Sequence, residues 1–174
     1  MNLSEDEARR RFAAARVARL ATIAPGGAPR LVPVTFAVLH GPRGSNSVEA
    51  DSTSKVSTRE DSATAGVARA LGGGLGTVVT AVDHKPKSTT RLRRLDDIAR
   101  DGRVSLLADE YDDDWSGLWW ARAEGVAHVV EPPAPAHAAA VQALAQRYGQ
   151  YRDRPPVGPA IVVRVTRWSG WYHG

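Results

Sequence analysis

The sequence predicts a mainly β protein, an antiparallel barrel of six strands with three helices at its periphery. Short apolar and β-branched segments follow one another along the chain, and most of them are joined by turns. The length of 174 residues suits one hydrophobic core, so we expect a single domain over residues 1–174. The composition, 43% hydrophobic and 24% charged, is typical of a globular protein and excludes a disordered or fibrous one.

Three segments carry helix signals. In the first, Ser4 is the predicted N-cap and Glu7 follows three positions later, as in a capping box. The second has Leu92, Leu95, Ile98 and Ala99 at the helical spacing of a core face and ends at the turn Asp101-Gly102. The third opens with prolines, which are favoured in the first turn of a helix. These signals predict helices over residues 5–15, 89–100 and 132–148.

Six segments are short and apolar and are enriched in β-branched or aromatic residues, as expected of strands. Pro25, Gly26 and Gly27 form a turn signal between the first two, which predicts a hairpin. The predicted strands cover residues 17–23, 30–38, 77–82, 104–108, 118–130 and 160–168.

Residues 41–74 differ in kind from the rest of the chain. They are rich in Ser, Thr, Gly and Ala and hold almost no large apolar side chain. Such a segment cannot bury enough surface to offset the entropy lost on ordering, so we predict a flexible insertion. The glycine-rich run at 71–76 is no dinucleotide-binding turn, because it lacks the GxGxxG spacing and precedes a strand instead of opening a helix.

Composition also limits the chemistry. The chain has no cysteine, which excludes disulfides, thiolate metal sites and a cysteine nucleophile. The acidic N-terminal residues are unlike a secretory signal, and no apolar run approaches the roughly 18 residues of a membrane span, so we expect a cytoplasmic protein without membrane contact. The acidic stretch 109–114 lacks the spacing and central glycine of a calcium loop and is predicted to be a solvated loop or an interface partner for the basic residues that precede it. We expect no metal site and identify no catalytic acid or base.

The net charge of +4 is concentrated in one region. Between His84 and Arg103, seven Lys or Arg stand against three Asp. We call residues 84–91, which join the third predicted strand to the second predicted helix, the basic segment. Unpaired N–H groups at a helix start bind anions, hydroxyls donate to them, and cationic side chains supply charge. The basic segment therefore predicts a site for a phosphate ester, formed by Lys85, Lys87, Ser88, Thr89 and Arg91.

Two other interpretations of the basic segment stay open. Ser88 or Thr89 could serve only as a helix cap, with the lysines solvated. The cationic residues could also form a nucleic-acid patch. The apolar face of the following helix and the lack of interleaved aromatic residues disfavour that second interpretation, and we expect no nucleic-acid partner.

The order of these segments resembles the pyridoxamine 5'-phosphate oxidase-like split β-barrels, an FMN-binding-like fold. The resemblance rests on the strands Val17–Thr22, Leu31–Phe36 and Val78–Thr80, with the basic segment after the third. Further segments are similar to an actinobacterial branch that is predicted to use the deazaflavin coenzyme F-420. These are Asp83–Lys87, Arg91–Leu95, Tyr111–Trp115, Leu118–Trp120 and Arg167–Trp171.

The resemblance implies a homodimer with a flavin-type ring in a groove at the dimer interface. It implies an F-420-dependent oxidoreductase that moves a hydride between this deazaflavin and a small unsaturated or conjugated substrate. It also implies roles for ten residues. The cofactor phosphate would be held by Lys85, Lys87, Ser88, Thr89 and Arg91, the ribityl chain would be lined by Thr80 and Ala81, and the ring would face the main chain of Pro33, Val34 and Thr35.

Two alternatives keep the same fold. One is an FMN-binding flavoprotein of the pyridoxamine-phosphate-oxidase type. The other is a non-enzymatic protein that stores a cofactor or a tetrapyrrole in the same groove. The insertion at 41–74 departs from the family pattern, but an insertion at a hairpin tip need not disturb a barrel, since the cost of loop closure grows slowly with length.

Overall fold

The computed structural model describes residues 1–39, 75–82 and 92–174. Within these residues the chain forms seven strands and four α-helices, and every strand pair is antiparallel. The strands are β1 (Ala18–Ile23), β2 (Pro29–Val34), β3 (Ala37–Leu39), β4 (Thr77–Ala81), β5 (Arg103–Glu110), β6 (Trp119–Val130) and β7 (Ala160–Tyr172). The helices are α1 (Glu5–Ala14), α2 (Arg93–Arg100), α3 (Pro135–Arg147) and α4 (Gly149–Asp153).

The predicted six strands are corrected to seven because the second one breaks in two. β2 pairs with β1, whereas β3 pairs with β4, and only Thr35 and Phe36 separate them. We call these two residues the junction. The sheet order is β2-β1-β5-β6-β7-β4-β3, so the junction connects the two end strands of one sheet. The sheet therefore curls into a barrel shape that no ladder between its end strands closes within the described residues.

Helix boundaries agree with the sequence signals at one end of the chain and differ in the middle. The Ser4 hydroxyl accepts a hydrogen bond from the Glu7 amide at 3.3 Å, which confirms the predicted N-cap of α1. The second helix was predicted from residue 89 but begins at Arg93, with Leu92 as an N-cap that makes no side-chain bond. Its buried residues, Asp97 and Ile98, lie in its second half, and residues 89–91 of the predicted helix lie outside the described residues. No helix of the described residues is long and apolar enough to cross a membrane.

Another boundary differs at the acidic stretch. Asp109 and Glu110 were predicted in a loop, yet they end β5, opposite Trp120 and Trp119 of β6. Asp109 forms an ion pair with Arg19 on β1, which neutralises the carboxylate at the face of the sheet. The strand therefore continues because its acidic residues have cross-strand partners.

Two apolar clusters hold these elements together. The larger cluster fills the curled sheet, and α1 packs into its end through Phe12, which is fully buried. The Phe12 ring lies 4.7 Å from that of Phe36 and 5.3 Å from that of Trp168. The smaller cluster lies on the other side of β3, β4 and β7, where α3 contributes Leu144. The larger cluster includes Val34 of β2, and the smaller one includes Ala37 and Leu39 of β3, so together they fix the two strands on either side of the junction.

Gly125 marks an irregularity between β6 and β7, where the register shifts after Glu124. A Cβ at this position would lie 3.0 Å from the carbonyl carbon of Arg164 and 3.1 Å from the Cα of Val165. Because both neighbours are main-chain atoms of a paired strand, we expect Gly125→Ala to lower the free energy of unfolding by about 1–3 kcal/mol in urea denaturation. Gly26→Ala is the matched control, since no atom lies within 4 Å of the point that its Cβ would occupy. Equal losses in the two variants would contradict the expectation.

Candidate functional site

Five of the ten predicted site residues lie in the part of the chain that the structure describes, and they come from two segments, one around the junction and one in β4. The ladder between β3 and β4 ends at the pair Ala37 and Val79. The residues before Ala37 and those after Val79 therefore lie at the same end of this strand pair. The predicted residues found there or at the adjoining end of β2 are Pro33, Val34, Thr35, Thr80 and Ala81.

The other half of the predicted site lies outside the described residues, as does the insertion predicted at 41–74. β4 ends at Ala81, and two residues, Val82 and Asp83, separate it from the basic segment along the chain. The phosphate-holding role stays a prediction for Lys85, Lys87, Ser88, Thr89 and Arg91.

The side chains at this end of the sheet are mostly covered. Val34, Thr80 and Ala81 are buried, and Thr35 is half-buried. Ala81 belongs to the smaller cluster together with residues of α3. Pro33 alone among the five has an exposed side chain. A ligand at this place would therefore meet main-chain atoms more than side chains.

The main chain of β2 has a free edge. β2 is an end strand that pairs with β1 on one side and has no strand partner on the other within the described residues. Such an edge presents N–H and C=O groups that are free to bond a ligand. Pro33 has no N–H group, so it can contribute only an acceptor. The free edge therefore offers a defined set of donors and acceptors next to the junction.

Two tyrosines hold the junction in place. The Tyr148 hydroxyl accepts a hydrogen bond from the Phe36 amide at 3.1 Å. It also lies 2.9 Å from the Phe36 carbonyl oxygen and 2.8 Å from that of Arg16, either of which can accept its proton. The Tyr151 hydroxyl lies 2.9 Å from Oγ1 of Thr35. Both tyrosines are buried, so the two residues that interrupt the strand have fixed polar partners.

Arginines complete this network. The Arg147 guanidinium lies 5.1 Å from the centre of the Phe36 ring, and its Nε donates to the Tyr148 hydroxyl at 3.3 Å. Its terminal nitrogen also donates to the carbonyl of Ala15, just after α1. The Arg16 guanidinium stacks over Tyr148, with its central carbon 4.7 Å from the centre of the ring. The ends of α1 and α3 thus meet at the junction.

Sequence reasoning missed this network. Tyr148 was predicted only as the end of a helix, and no role was predicted for Tyr151 or Arg147. The available signal was two tyrosines three positions apart, beside an arginine, at the end of a predicted helix. Nothing local indicates their partners, which lie more than a hundred residues earlier in the chain.

A concave feature lies on the outer face of β1, β5 and β6. It is a groove of about 450 Å³ whose lining includes Ala21, Ile23, Ser105, Glu124 and Val126. Its charged groups have partners: Glu124 pairs with Arg122 at 3.3 Å and with Arg167 at 3.7 Å. The groove is therefore largely apolar, with neutralised charges at its margin.

Arg103, which also lines the groove, has its own partner. It donates two side-chain hydrogen bonds to the Asp101 carboxylate, at 3.0 and 2.7 Å. These bonds lower the pKa of Asp101 to about 2, so this carboxylate stays ionised near neutral pH. No group of three His, Asp or Glu side chains suited to a metal ion occurs in the part of the chain that the structure describes.

Comparison with known proteins adds information on the fold. No model of a protein family matches this chain, and no curated protein is detectably similar to it. A conserved hypothetical protein of Mycobacterium tuberculosis superposes with a TM-score of 0.62 at 20% identity, over 98% of this chain and 86% of that one. An FAD-binding protein of Mesorhizobium loti superposes with a TM-score of 0.54 at 16% identity, over 98% and 93%. The chain thus shares a split-barrel-like, mainly antiparallel fold with these two proteins.

Proposed function

We propose that this chain binds a phosphorylated flavin-type cofactor beside the junction and uses it for hydride transfer to or from a small unsaturated or conjugated substrate. The observation that carries this proposal is the place of the junction, which follows the free edge of β2 and precedes the end of the ladder between β3 and β4. Two residues, Val82 and Asp83, then separate β4 from the basic segment along the chain. The cofactor that we propose is the deazaflavin F-420, on the resemblance of the sequence segments described above.

The described residues fit the edge of a flavin-type ring. Such a ring carries carbonyl oxygens and ring nitrogens along one side, and the free edge of β2 offers main-chain donors and acceptors to match them. Pro33 leaves its position without a donor, which favours a ligand group that donates there. The FAD-binding protein of Mesorhizobium loti, which has the same fold, also supports a flavin-type cofactor.

A bound deazaflavin supplies the ring carbon that accepts or releases the hydride. The chain would contribute binding, orientation and exclusion of water. In this proposal, the main chain of Pro33, Val34 and Thr35 orients the ring, and Thr80 and Ala81 lie along the ribityl chain. The phosphate charge would be neutralised by Lys85, Lys87 and Arg91, with hydroxyl donors from Ser88 and Thr89.

FMN is the second candidate cofactor. The observation in its favour is the fold that this chain shares with an FAD-binding protein. FMN and FAD carry the same flavin ring, so binding of FMN would keep the same class of cofactor. An FMN protein would use the same strand edge and the same basic segment. The two candidates therefore differ in the affinity that a titration measures and in the colour of the purified protein.

The partner that we propose is a second copy of this chain. The outer face of β2, β1 and β5 carries Leu31, Ile23 and Leu107, and Leu31 is 61% exposed. The groove of about 450 Å³ lies on the same face. Association of two copies through this face would remove these apolar groups from water.

Fluorescence titration of the purified protein tests the proposed cofactor. We expect oxidised F-420 to bind with a Kd below about 100 μM and more tightly than FMN. Lys85→Ala combined with Lys87→Ala should weaken binding by roughly 10- to 100-fold, because each lysine is proposed to make a charge-assisted contact with the phosphate. Arg154→Ala, at an exposed position of the described chain, is the control for loss of positive charge.

The outcomes separate the candidates. Tight FMN binding without F-420 binding would replace the deazaflavin by the flavin. Unchanged affinity in the double lysine variant would show that the phosphate lies elsewhere. A protein that binds neither cofactor would contradict the proposed function.

A further inference from the structure

We propose that Tyr151 is a positioning residue for the cofactor, acting through Thr35 on a junction that Tyr148 holds in shape. This inference rests on the proposed function, because it takes the main chain around Thr35 to face the ring. It concerns a contact between α4 and the junction whose two residues lie 116 positions apart in the sequence.

The main-chain groups of the junction need hydrogen-bond partners outside the sheet. Thr35 and Phe36 belong to neither β2 nor β3, so the ladders of those strands do not include them. Phe36 is fully buried, and its amide and carbonyl cannot turn to water. The Tyr148 hydroxyl bonds to that amide and lies within bonding distance of that carbonyl, so it replaces the missing ladder. Tyr148 therefore maintains the bend of the main chain.

The two tyrosines differ in the group to which each hydroxyl bonds. The described bond of the Tyr151 hydroxyl goes to a side-chain hydroxyl, that of Thr35, and not to the main chain. Thr35 is half-buried, so it can bond water if Tyr151 is changed. Loss of the Tyr151 hydroxyl consequently leaves no buried main-chain group of the junction without a partner. The effect on the fold should be small.

The hydrogen bond to Tyr151 limits the rotamer of the Thr35 side chain. A threonine side chain has few allowed rotamers, and a hydrogen bond at 2.9 Å selects among them. While the bond persists, the Thr35 hydroxyl is directed toward α4. Tyr151 is itself immobilised, since it is only 5% exposed and its ring packs edge-on against Tyr148 at 5.6 Å. The rotamer of Thr35 beside the free edge of β2 is thus set from α4.

The test uses Tyr151→Phe and Thr35→Val in the full chain loaded with F-420 or, where that binds better, FMN. Each variant should raise the Kd by about 3- to 10-fold and shift the absorption spectrum of the bound ring, as expected when one neutral hydrogen bond near the ring is lost. The double variant should be no weaker than either single variant, because both remove the same bond. Thr35→Ser keeps the hydroxyl, so the absorption spectrum of the ring bound to this variant should match that of the wild type.

Controls separate positioning from general structure. Tyr111→Phe removes a hydroxyl from a tyrosine that is 66% exposed and should change neither the Kd nor the spectrum. The Tm of Tyr151→Phe should stay near that of the wild type. The methyl resonance of Thr35 should shift in Tyr151→Phe even without cofactor, since the rotamer is no longer fixed.

Three results would overturn the inference. If the wild type binds the cofactor and Tyr151→Phe changes neither affinity nor spectrum, the positioning role is wrong while the proposed function stands. If the Thr35 methyl resonance does not move in Tyr151→Phe, the contact itself does not set the rotamer. A wild-type protein that binds neither ring overturns the proposed function, and this inference with it.

Discussion

Phe12→Ala is expected to lower the free energy of unfolding by about 3–5 kcal/mol, because it removes a fully buried ring from the larger cluster. Phe12 contacts the rings of Phe36 and Trp168, which belong to the junction and to β7. The cavity would therefore open between α1, the junction and the long C-terminal strand. Urea denaturation followed by tryptophan fluorescence measures the loss.

Two variants show whether burial is the cause. Phe12→Leu keeps most of the apolar volume and should lose less stability than Phe12→Ala. Trp115→Ala deletes an aromatic side chain that is 67% exposed, and its effect should stay within about 0.5 kcal/mol. A loss below about 1 kcal/mol in Phe12→Ala would mean that α1 does not complete the core as the structure indicates.

Asp97→Ala is expected to lower the free energy of unfolding by about 2–4 kcal/mol. The Asp97 carboxylate on α2 is 2% exposed, accepts a hydrogen bond from the Thr22 hydroxyl at 3.0 Å and forms an ion pair with Arg30. Removal of one partner leaves the other charge in a poorly solvated place, which costs more than the pair contributes. The Arg30 side chain is 29% exposed and can partly hydrate, so we expect less than the loss typical of fully buried pairs.

The partners of Asp97 provide the controls for this expectation. Thr22→Val removes one neutral donor and should cost about 1 kcal/mol. Combined with Asp97→Ala, it should cost less than the sum of the two single losses, because both changes break the same hydrogen bond. Asp153→Ala, at an exposed position, should have little effect. If Asp97→Ala and Asp153→Ala were equally stable, the buried ion pair would not hold α2 against β1 and β2.

Local patterns were sufficient for most elements of the fold. The N-cap of α1 and the strands with alternating burial could be predicted because capping and pleating act over a few residues. The break between β2 and β3 could not. Residues 30–38 resemble one apolar strand, and the interruption arises only because one half pairs with β1 and the other with β4. That choice of partners is a property of the whole sheet.

The predicted core face of α2 was only partly right, for a similar reason. Ile98 is buried as the apolar spacing predicts, but Ala99 is exposed and Asp97 is buried. Hydrophobic periodicity does not assign an aspartate to a core unless the partner of its charge is known. Arg30, the partner of Asp97, belongs to a strand far away in the sequence. The contact between Tyr151 and Thr35 escaped prediction in the same way, because a hydrogen bond between distant side chains leaves no local pattern.

The sheet order also governs when this chain can complete its fold during synthesis. β1 lies between β2 and β5, so its second edge stays unpaired until β5 leaves the ribosome. Asn2 bridges to Trp171, so this contact cannot form before β7 is synthesised. Pairings between such distant residues form slowly, since the intervening chain loses entropy before the contacts stabilise it. The nascent chain therefore exposes unsatisfied strand edges until β5 and β7 have been synthesised, a period in which chaperones that shield such edges would matter most.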